Sequence, residues 1–173
     1  MRTSIQPYPT TKGATPKFPE NGYYGLGKRI QLFAYAYYRL SREEAQKSES
    51  TSITNQKKIV EAYCKQHGIT ILKYFVDDGW SGGNFERPGF QEMMRALESG
   101  KANVVITKDL SRLGRDMRES SYYAEQFFPE NQIRYIAIAD NFDSETENVM
   151  APFQFAMNEV YLRDGSRKIK DVL

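Results

Sequence analysis

The groups in this sequence that are able to do chemistry are a serine hydroxyl and several arginines, which recur after its apolar segments. Three such segments are followed by Arg39, Ser41, Arg87, Ser111, Arg112 and Arg115. Guanidinium groups bind phosphate oxygens and stabilise the charge that develops when an oxygen attacks phosphorus. Hydrolases that activate serine usually supply a histidine base, and the one histidine, His67, lies at a predicted helix end with nothing to pair it. A serine among arginines therefore suits attack on a phosphate.

The stretch Thr107–Asp116 carries the densest group of these residues and follows the β-branched run 104–106. Its pattern predicts a buried strand, a tight turn and the first turn of a helix. Arg112 and Arg115 are three residues apart, so on a helix they lie on one face and can hold one anion together. The alternative is a solvated helix start with ordinary surface arginines.

Arg39 and Ser41 follow the nearly continuous apolar run Leu32–Tyr38, which predicts a strand buried on both faces of a parallel sheet. Side chains alternate along a strand, so Arg39 and Ser41 should point the same way and Leu40 the opposite way. Residues 42–50 are polar and charged, and we expect a mobile loop there.

Strands and helices alternate along the rest of the chain. Further strands are predicted at 69–76, 104–106 and 134–139, and helices at 52–66, from Pro88 to near Gly100, and at 116–128 with a break at Pro129. No tight hairpin signal separates the strands, which indicates crossover connections. The predicted fold class is α/β: a mainly parallel four- to five-stranded sheet with helices on both faces, plus a long C-terminal helix.

The sequence divides into three parts. Residues 1–28 are rich in Thr, Gly and Pro and predict a flexible leader. Residues 29–146 hold the predicted strands and helices together with the serine and the arginines, and residues 147–173 predict the long C-terminal helix. The first half of that helix has an apolar stripe and its second half is basic. Two arrangements remain open: the helix folds back onto its own domain, or it overhangs, pairs subunits along its first half and meets phosphates along its second.

Composition limits the possible functions. The sequence has 24 Lys and Arg against 22 Asp and Glu, a net charge of +2, so any basic surface for nucleic acid must be local. The single cysteine, Cys64, excludes an intrachain disulfide and a cysteine-based zinc site, and a reducing cytoplasm is the expected location. No apolar run is long enough for a membrane span. We expect no metal and no small-molecule cofactor.

Four motifs in order resemble the signatures of the serine site-specific recombinases, the resolvase and invertase family, in its N-terminal catalytic domain. They are Tyr37-Tyr38-Arg39-Leu40-Ser41, the pair Ser52 and Gln56, Asp78-x-x-Ser81-Gly82 running to Arg87-Pro88, and Ser111-Arg112-Leu113-Gly114-Arg115. The sequence from Lys108 to Arg115 is similar to that of the large serine recombinases of mobile elements. The resemblance covers roughly residues 30–173.

The resemblance implies that Ser41 is the nucleophile, which attacks a DNA phosphodiester to leave a 5′-phosphoserine link and a free 3′-hydroxyl. Further residues that it marks for phosphate or DNA contact are Arg39, Arg87, Arg112, Arg115, Ser111, Gln56 and, in the last helix, Arg167 or Lys168. It also implies that the C-terminal helix joins subunits into dimers or tetramers and crosses the DNA minor groove.

Three departures from the family pattern affect these expectations. Many members carry aspartate where this chain has Ser111, so Ser111 or Arg115 becomes the candidate to protonate the departing 3′-oxygen; Asp109 would need a different backbone path to do so. The leader matches nothing in the family. The chain stops at Leu173, so the family's separate DNA-recognition domain is expected to be absent.

Two other functions compete with a recombinase. One is a truncated, non-catalytic remnant that oligomerises or binds DNA without recombining it. The other is a small phosphoesterase with a phosphoserine intermediate, which ranks last because no group is evident to activate water.

Overall fold

A computed structural model describes residues 31–45 and 52–146. The predicted leader at 1–28 and the predicted C-terminal helix at 147–173 lie outside the described residues, as do Arg167 and Lys168.

Five strands form one sheet in the order β2-β1-β3-β4-β5, so β1 and β3 are central. Neighbouring strands are parallel except for β4 and β5, which are antiparallel. The strands are β1 (Leu32–Leu40), β2 (Ile69–Asp78), β3 (Val104–Thr107), β4 (Arg134–Ala137) and β5 (Phe142–Asp143). The predicted α/β class and mainly parallel sheet are confirmed.

Helices fill the connections between the strands. They are α1 (Arg42–Ala45), α2 (Ile53–His67), α3 (Pro88–Leu97), α4 (Leu110–Leu113), α5 (Met117–Ser121) and α6 (Phe128–Glu130), with a π-helical segment (Tyr122–Phe127) between the last two. Ser52 caps α2 by accepting from the N–H of Asn55, and Gly68 ends it in the left-handed conformation at φ 68°. The helix predicted at 52–66 is confirmed.

Strand β1 supplies side chains to two hydrophobic clusters, one on each face of the sheet. Tyr35 and Tyr37 pack with the residues of α3 and of the helical segments 117–130. Ala34, Ala36 and Tyr38 pack on the other face with residues of α2. Alternate residues of β1 thus enter opposite layers, and the strand is buried on both faces as its apolar run predicts.

Strand β2 contains an irregular step. Ala34 pairs with Ile71 and Tyr35 with Lys73, so Leu72 is an extra residue relative to β1. Ile69 and Ile71 pack in the α2 layer, whereas Phe75 belongs to the α3 layer. Because of this extra residue, the apolar odd-numbered side chains of β2 face α2 before Leu72 and α3 after it.

Several elements differ from the sequence predictions. Residues 42–45, predicted as part of a mobile loop, form α1 because a Ser-x-x-Glu capping pair closes its first turn. The helical stretch predicted to break at Pro129 continues to Glu130, since proline near the start of a helical segment needs no N–H partner. The short strand β5 was not predicted.

No helix in the described ranges is both long and apolar enough to cross a membrane.

Candidate active site

The candidate site lies where the chain leaves the carboxyl ends of β1 and β3. These two strands are parallel neighbours, so their following segments start at the same edge of the sheet. The loop after β2 joins them there, because the N–H groups of Gly79 and Trp80 both donate to the carbonyl oxygen of Leu40 at the end of β1. The topology therefore brings together the three segments that carry the predicted serine and arginines.

Arg39 is fully buried, with 0% of its surface exposed. Its Nη1 donates to the carbonyl oxygen of Trp80 at 2.9 Å and its Nη2 to that of Ser111 at 2.9 Å. Burial lowers the pKa of Arg39 to about 10, and the neighbouring charge of Arg112 acts in the same direction. One guanidinium thus links the loops that follow β2 and β3.

Ser41 begins α1 and is bound to Glu44 in both directions. Its Oγ accepts the N–H of Glu44 at 3.2 Å, and its own N–H donates to Glu44 Oε2 at 2.9 Å. This reciprocal pair is a capping box, which fixes the hydroxyl at the first turn of the helix. Ser41 is buried, with 6% of its surface exposed.

Arg112 and Arg115 converge on the same carboxylate. The Nη2 atom of each lies 2.7 Å from Glu44 Oε1, and Nη1 of Arg39 lies 3.6 Å from Glu44 Oε2. We call Arg39, Arg112 and Arg115 the arginine cluster. Arg115 lies beyond the end of α4, so the two arginines meet through an extended Gly114 and not on one helix face as the spacing suggested.

The electrostatics of Glu44 follow from these contacts. Desolvation raises the pKa of its carboxyl, but the Ser41 N–H, Arg112 and Arg39 outweigh it and hold the pKa at about 2. Glu44 is therefore a carboxylate at neutral pH, and it is an oxyanion already held by the arginine cluster.

Asp109 organises the turn between β3 and α4. Its carboxylate caps α4 by accepting the N–H of Arg112 at 3.1 Å, and its Oδ1 accepts the hydroxyl of Ser111 at 2.5 Å. It also contacts Nε of Arg112 at 3.3 Å. The Ser111 side chain is thus bound to a carboxylate two residues earlier, and Asp109 helps to orient Arg112.

Arg87 occupies a different position from the arginine cluster. Its guanidinium is fully buried and donates to the carbonyl oxygens of Leu113 at 2.5 Å and Arg112 at 3.5 Å. The rings of Tyr37, Phe85 and Phe90 surround it, with centroids 4.7–5.4 Å from Cζ. Arg87 therefore supports the backbone that carries Arg112.

Gln56 of α2 serves the backbone of Arg39. Its Nε2 donates to the Arg39 carbonyl oxygen at 2.9 Å, and its Oε1 accepts the Arg39 N–H at 3.3 Å. Arg112 Nη1 donates to the same carbonyl oxygen at 2.8 Å. Gln56 is fully buried, so in this structure it positions the end of β1 and does not face solvent.

Gly82 lets the loop after β2 approach the arginine cluster. Its carbonyl oxygen accepts the N–H of Arg115 at 2.8 Å. A Cβ placed on Gly82 would lie 3.1 Å from both Arg115 Cγ and Arg39 Cζ, closer than side chains normally pack. The absence of a side chain at Gly82 therefore lets the loop lie close to the two arginines without displacing them.

The sequence pattern predicted that Ser41 and the arginines lie at one edge of the sheet, where the structure places them, but Glu44 was not among the predicted residues. The available signal was the spacing Ser41-x-x-Glu44, a capping box that directly follows the end of β1. Within residues 31–45 and 52–146, no group of three or more His, Cys, Asp or Glu side chains is arranged to hold a metal ion.

Comparison with known proteins agrees with the fold. The N-terminal catalytic domain of TP901-1 integrase has a TM-score of 0.59 and 24% identity, with 79% of this chain and 98% of that chain covered. A resolvase family site-specific recombinase from Streptococcus pneumoniae has a TM-score of 0.58 and 23% identity, covering 82% of this chain and 95% of that chain.

Sequence comparison identifies a phage relative and a family. "Uncharacterized immunity region protein 3" of Bacillus phage phi105 is 39% identical over 64 residues, which are 37% of this chain and 77% of the phage protein. The family model described as "Resolvase, N terminal domain" matches residues 34–171. The chain therefore belongs to the resolvase family of serine recombinases, and it has the fold of their N-terminal catalytic domain.

Proposed function

We propose that this chain is the catalytic domain of a serine site-specific DNA recombinase, which cleaves and rejoins DNA through a 5′-phosphoserine intermediate. The observation that carries the proposal is the arginine cluster, which holds an oxyanion whose other oxygen is bonded to the Ser41 N–H. A serine hydroxyl beside a site for an oxyanion has the parts that phosphoryl transfer requires.

In the proposed reaction, Ser41 Oγ attacks the phosphorus of a DNA phosphodiester. The O–P bond to the 3′-oxygen breaks, the hydroxyl proton of Ser41 leaves and the 3′-oxygen gains a proton, so the DNA ends in a 5′-phosphoserine and a 3′-hydroxyl. Arg39, Arg112 and Arg115 neutralise the non-bridging oxygens of the transition state. The 3′-hydroxyl of an exchanged strand then attacks the phosphoserine and reverses the step.

The remaining site residues have supporting roles in this proposal. Arg87 acts through the backbone of Arg112 and Leu113, and Gln56 acts through that of Arg39. Ser111, bonded to Asp109, and Arg115 stay candidates for the proton donor to the departing 3′-oxygen. Arg167 or Lys168 would reach the DNA backbone, and residues 147–173 would join subunits into a dimer or tetramer.

The test is formation of a covalent protein–DNA adduct on supercoiled plasmids that carry the DNA flanking the gene in its genome. We expect a detergent-resistant adduct with a 3′ end that DNA polymerase extends and a 5′ end that resists exonuclease. Ser41→Ala should form none, whereas Ser99→Ala, at an exposed serine in the turn after α3, should form as much as the wild type.

Equal adduct from Ser41→Ala would remove Ser41 from the mechanism. A wild-type protein that binds these plasmids but forms no adduct would support the non-catalytic remnant instead. The clustered serine and arginines support the catalytic proposal over that alternative.

A further inference from the structure

Glu44 lies between the proposed nucleophile and the arginine cluster. Its Oε1 contacts Arg112 and Arg115 at 2.7 Å each, and its Oε2 accepts the Ser41 N–H at 2.9 Å. The Glu44 side chain is only 13% exposed. It is therefore an anion held within the site and not a solvated surface carboxylate.

A carboxylate and a phosphodiester offer an arginine similar hydrogen-bond acceptors. Each offers two oxygens that share one negative charge and that accept N–H bonds from a guanidinium. A phosphate oxygen that took the position of Glu44 Oε1 would accept from the same two Nη2 atoms, of Arg112 and of Arg115. Substrate phosphate and Glu44 are thus alternatives for Arg112 and Arg115.

The arginine cluster does not depend on Glu44 alone for its shape. Arg39 is anchored to the carbonyl oxygens of Trp80 and Ser111, and Arg112 to the carbonyl oxygen of Arg39 and to Asp109. These bonds remain when the Glu44 side chain rotates away, so Arg39 and Arg112 would stay in place to accept another oxyanion.

We propose that Glu44 is an internal competitor that occupies the phosphate site of the arginine cluster until DNA phosphate displaces it. The inference rests on the proposed function and names a regulatory contact within the same site. Because Glu44 also closes the capping box of Ser41, its departure frees the Ser41 N–H as the phosphate arrives. Binding of DNA phosphate to the arginine cluster is therefore coupled to loss of the hydrogen bond from the Ser41 N–H to Glu44.

The direct test measures binding of inorganic phosphate to the full chain, with Glu44→Gln compared with the wild type and with Glu43→Gln. Glu43 is the adjacent, exposed residue of α1, so its variant has the same charge change outside the cluster. The readout is the rise in the midpoint of thermal unfolding with phosphate concentration at constant ionic strength.

Glu44→Gln should have a lower midpoint than the wild type in chloride, because three arginines then face one another without a counter-charge. Phosphate should restore the midpoint, with an apparent affinity about tenfold or more above that of the wild type, since the internal competitor is gone. Glu43→Gln should behave as the wild type in both respects.

Equal phosphate affinity in Glu44→Gln and the wild type would overturn the inference. Should Glu44→Gln fail to fold, Glu44→Asp decides: its shorter carboxylate reaches the cluster less well, so phosphate should bind more tightly than to the wild type, and equal binding again overturns the inference.

Adduct formation separates this inference from the proposed function. If phosphate binding improves in Glu44→Gln but no variant forms the Ser41-dependent adduct, Glu44 is an internal ligand of a site that does not cleave DNA. If the adduct forms and phosphate binding is unchanged, the recombinase proposal stands and the competitor is excluded.

Discussion

Arg87 donates a hydrogen bond to the carbonyl oxygen of Leu113, across 26 residues of sequence, from a position where none of its surface reaches solvent. Burial of a guanidinium is costly, and the bonds from Nη1 and Nη2 to backbone oxygens at the end of α4 offset part of that cost. Arg87 therefore stabilises the backbone of the segment that carries Arg112.

Arg87→Met should destabilise the fold by about 1–3 kcal/mol, because the Leu113 carbonyl loses its buried donor. Chemical denaturation followed by circular dichroism measures the change. Arg95→Met, at an exposed arginine in the last turn of α3, is the control and should change stability little. Equal stabilities for the two variants would contradict the supporting role of Arg87.

Asp77 ties β1 to the start of α3. Its carboxylate accepts the Tyr37 hydroxyl at 2.8 Å and the N–H groups of Gly89 and Phe90 at 2.7 and 2.9 Å. Asp77→Asn turns one acceptor into a donor that faces a donor, so the free energy of unfolding should fall by about 1–3 kcal/mol. Asp78→Asn, at the exposed neighbour, should leave it nearly unchanged, and urea titrations of both variants provide the comparison.

Gly82→Ala tests how closely the loop after β2 must approach the arginine cluster. Its Cβ would lie 3.1 Å from Arg39 Cζ and Arg115 Cγ, so one of these side chains must shift by a few tenths of an ångström. We expect roughly a tenfold loss in the rate of adduct formation. Gly83→Ala, whose Cβ would meet only Ser81 Oγ at 3.5 Å, should react at the wild-type rate. Matching rates for the two variants would show that the close approach is unimportant.

The contribution of Glu44 to stability should depend on pH. The folded protein holds the pKa of Glu44 at about 2, below the value of 4.5 for a free glutamate, so its stabilisation is complete above pH 4.5 and is lost as the pH falls towards 2. The stability difference between wild type and Glu44→Gln should therefore be constant from pH 5 to 7 and shrink below about pH 4.5. A difference that grows on acidification would contradict the ion pairs described for Glu44.

Removal of residues 147–173 should leave a folded monomer, because the described residues already form a hydrophobic cluster on each face of the sheet. Sedimentation of the full chain should instead show a concentration-dependent dimer or larger species. A full chain that stays monomeric at every concentration would exclude subunit pairing through this segment.

Most of the sheet could be predicted because buried strands and helices have recognisable apolar patterns in the sequence. The unbroken apolar run of β1 and the stripe of Phe90, Met93, Met94 and Leu97 on α3 each permit one reading, and the structure confirms both. Strand β5 has no such pattern, because two residues are too few to show the alternation of apolar and polar side chains that predicts a strand. Helix α1 was missed because its stability comes from one polar capping pair and not from an apolar face.

The sequence placed Ser41 and the arginines at one edge of the sheet, but it did not predict their contacts. Arg112 and Arg115 were expected to meet on one helix face, whereas Gly114 breaks the helix and the two side chains meet at Glu44. Contacts of this kind join residues about 70 positions apart, and no local periodicity reports them. Of the three rings around Arg87, Tyr37 is distant in sequence, whereas Phe85 and Phe90 are close neighbours whose side-chain direction the sequence pattern does not report.

The extra residue in β2 sets which side chains of that strand face each layer. Ile69, Ile71, Phe75 and Asp77 are separated by even numbers of residues, so regular pairing of the present strand would place all four side chains on one face. Only the extra residue lets Phe75 and Asp77 face the α3 layer while Ile69 and Ile71 face the other one. Deletion of Leu72 would keep these faces, whereas loss of the irregular step at the present length would turn the Asp77 carboxylate away from α3.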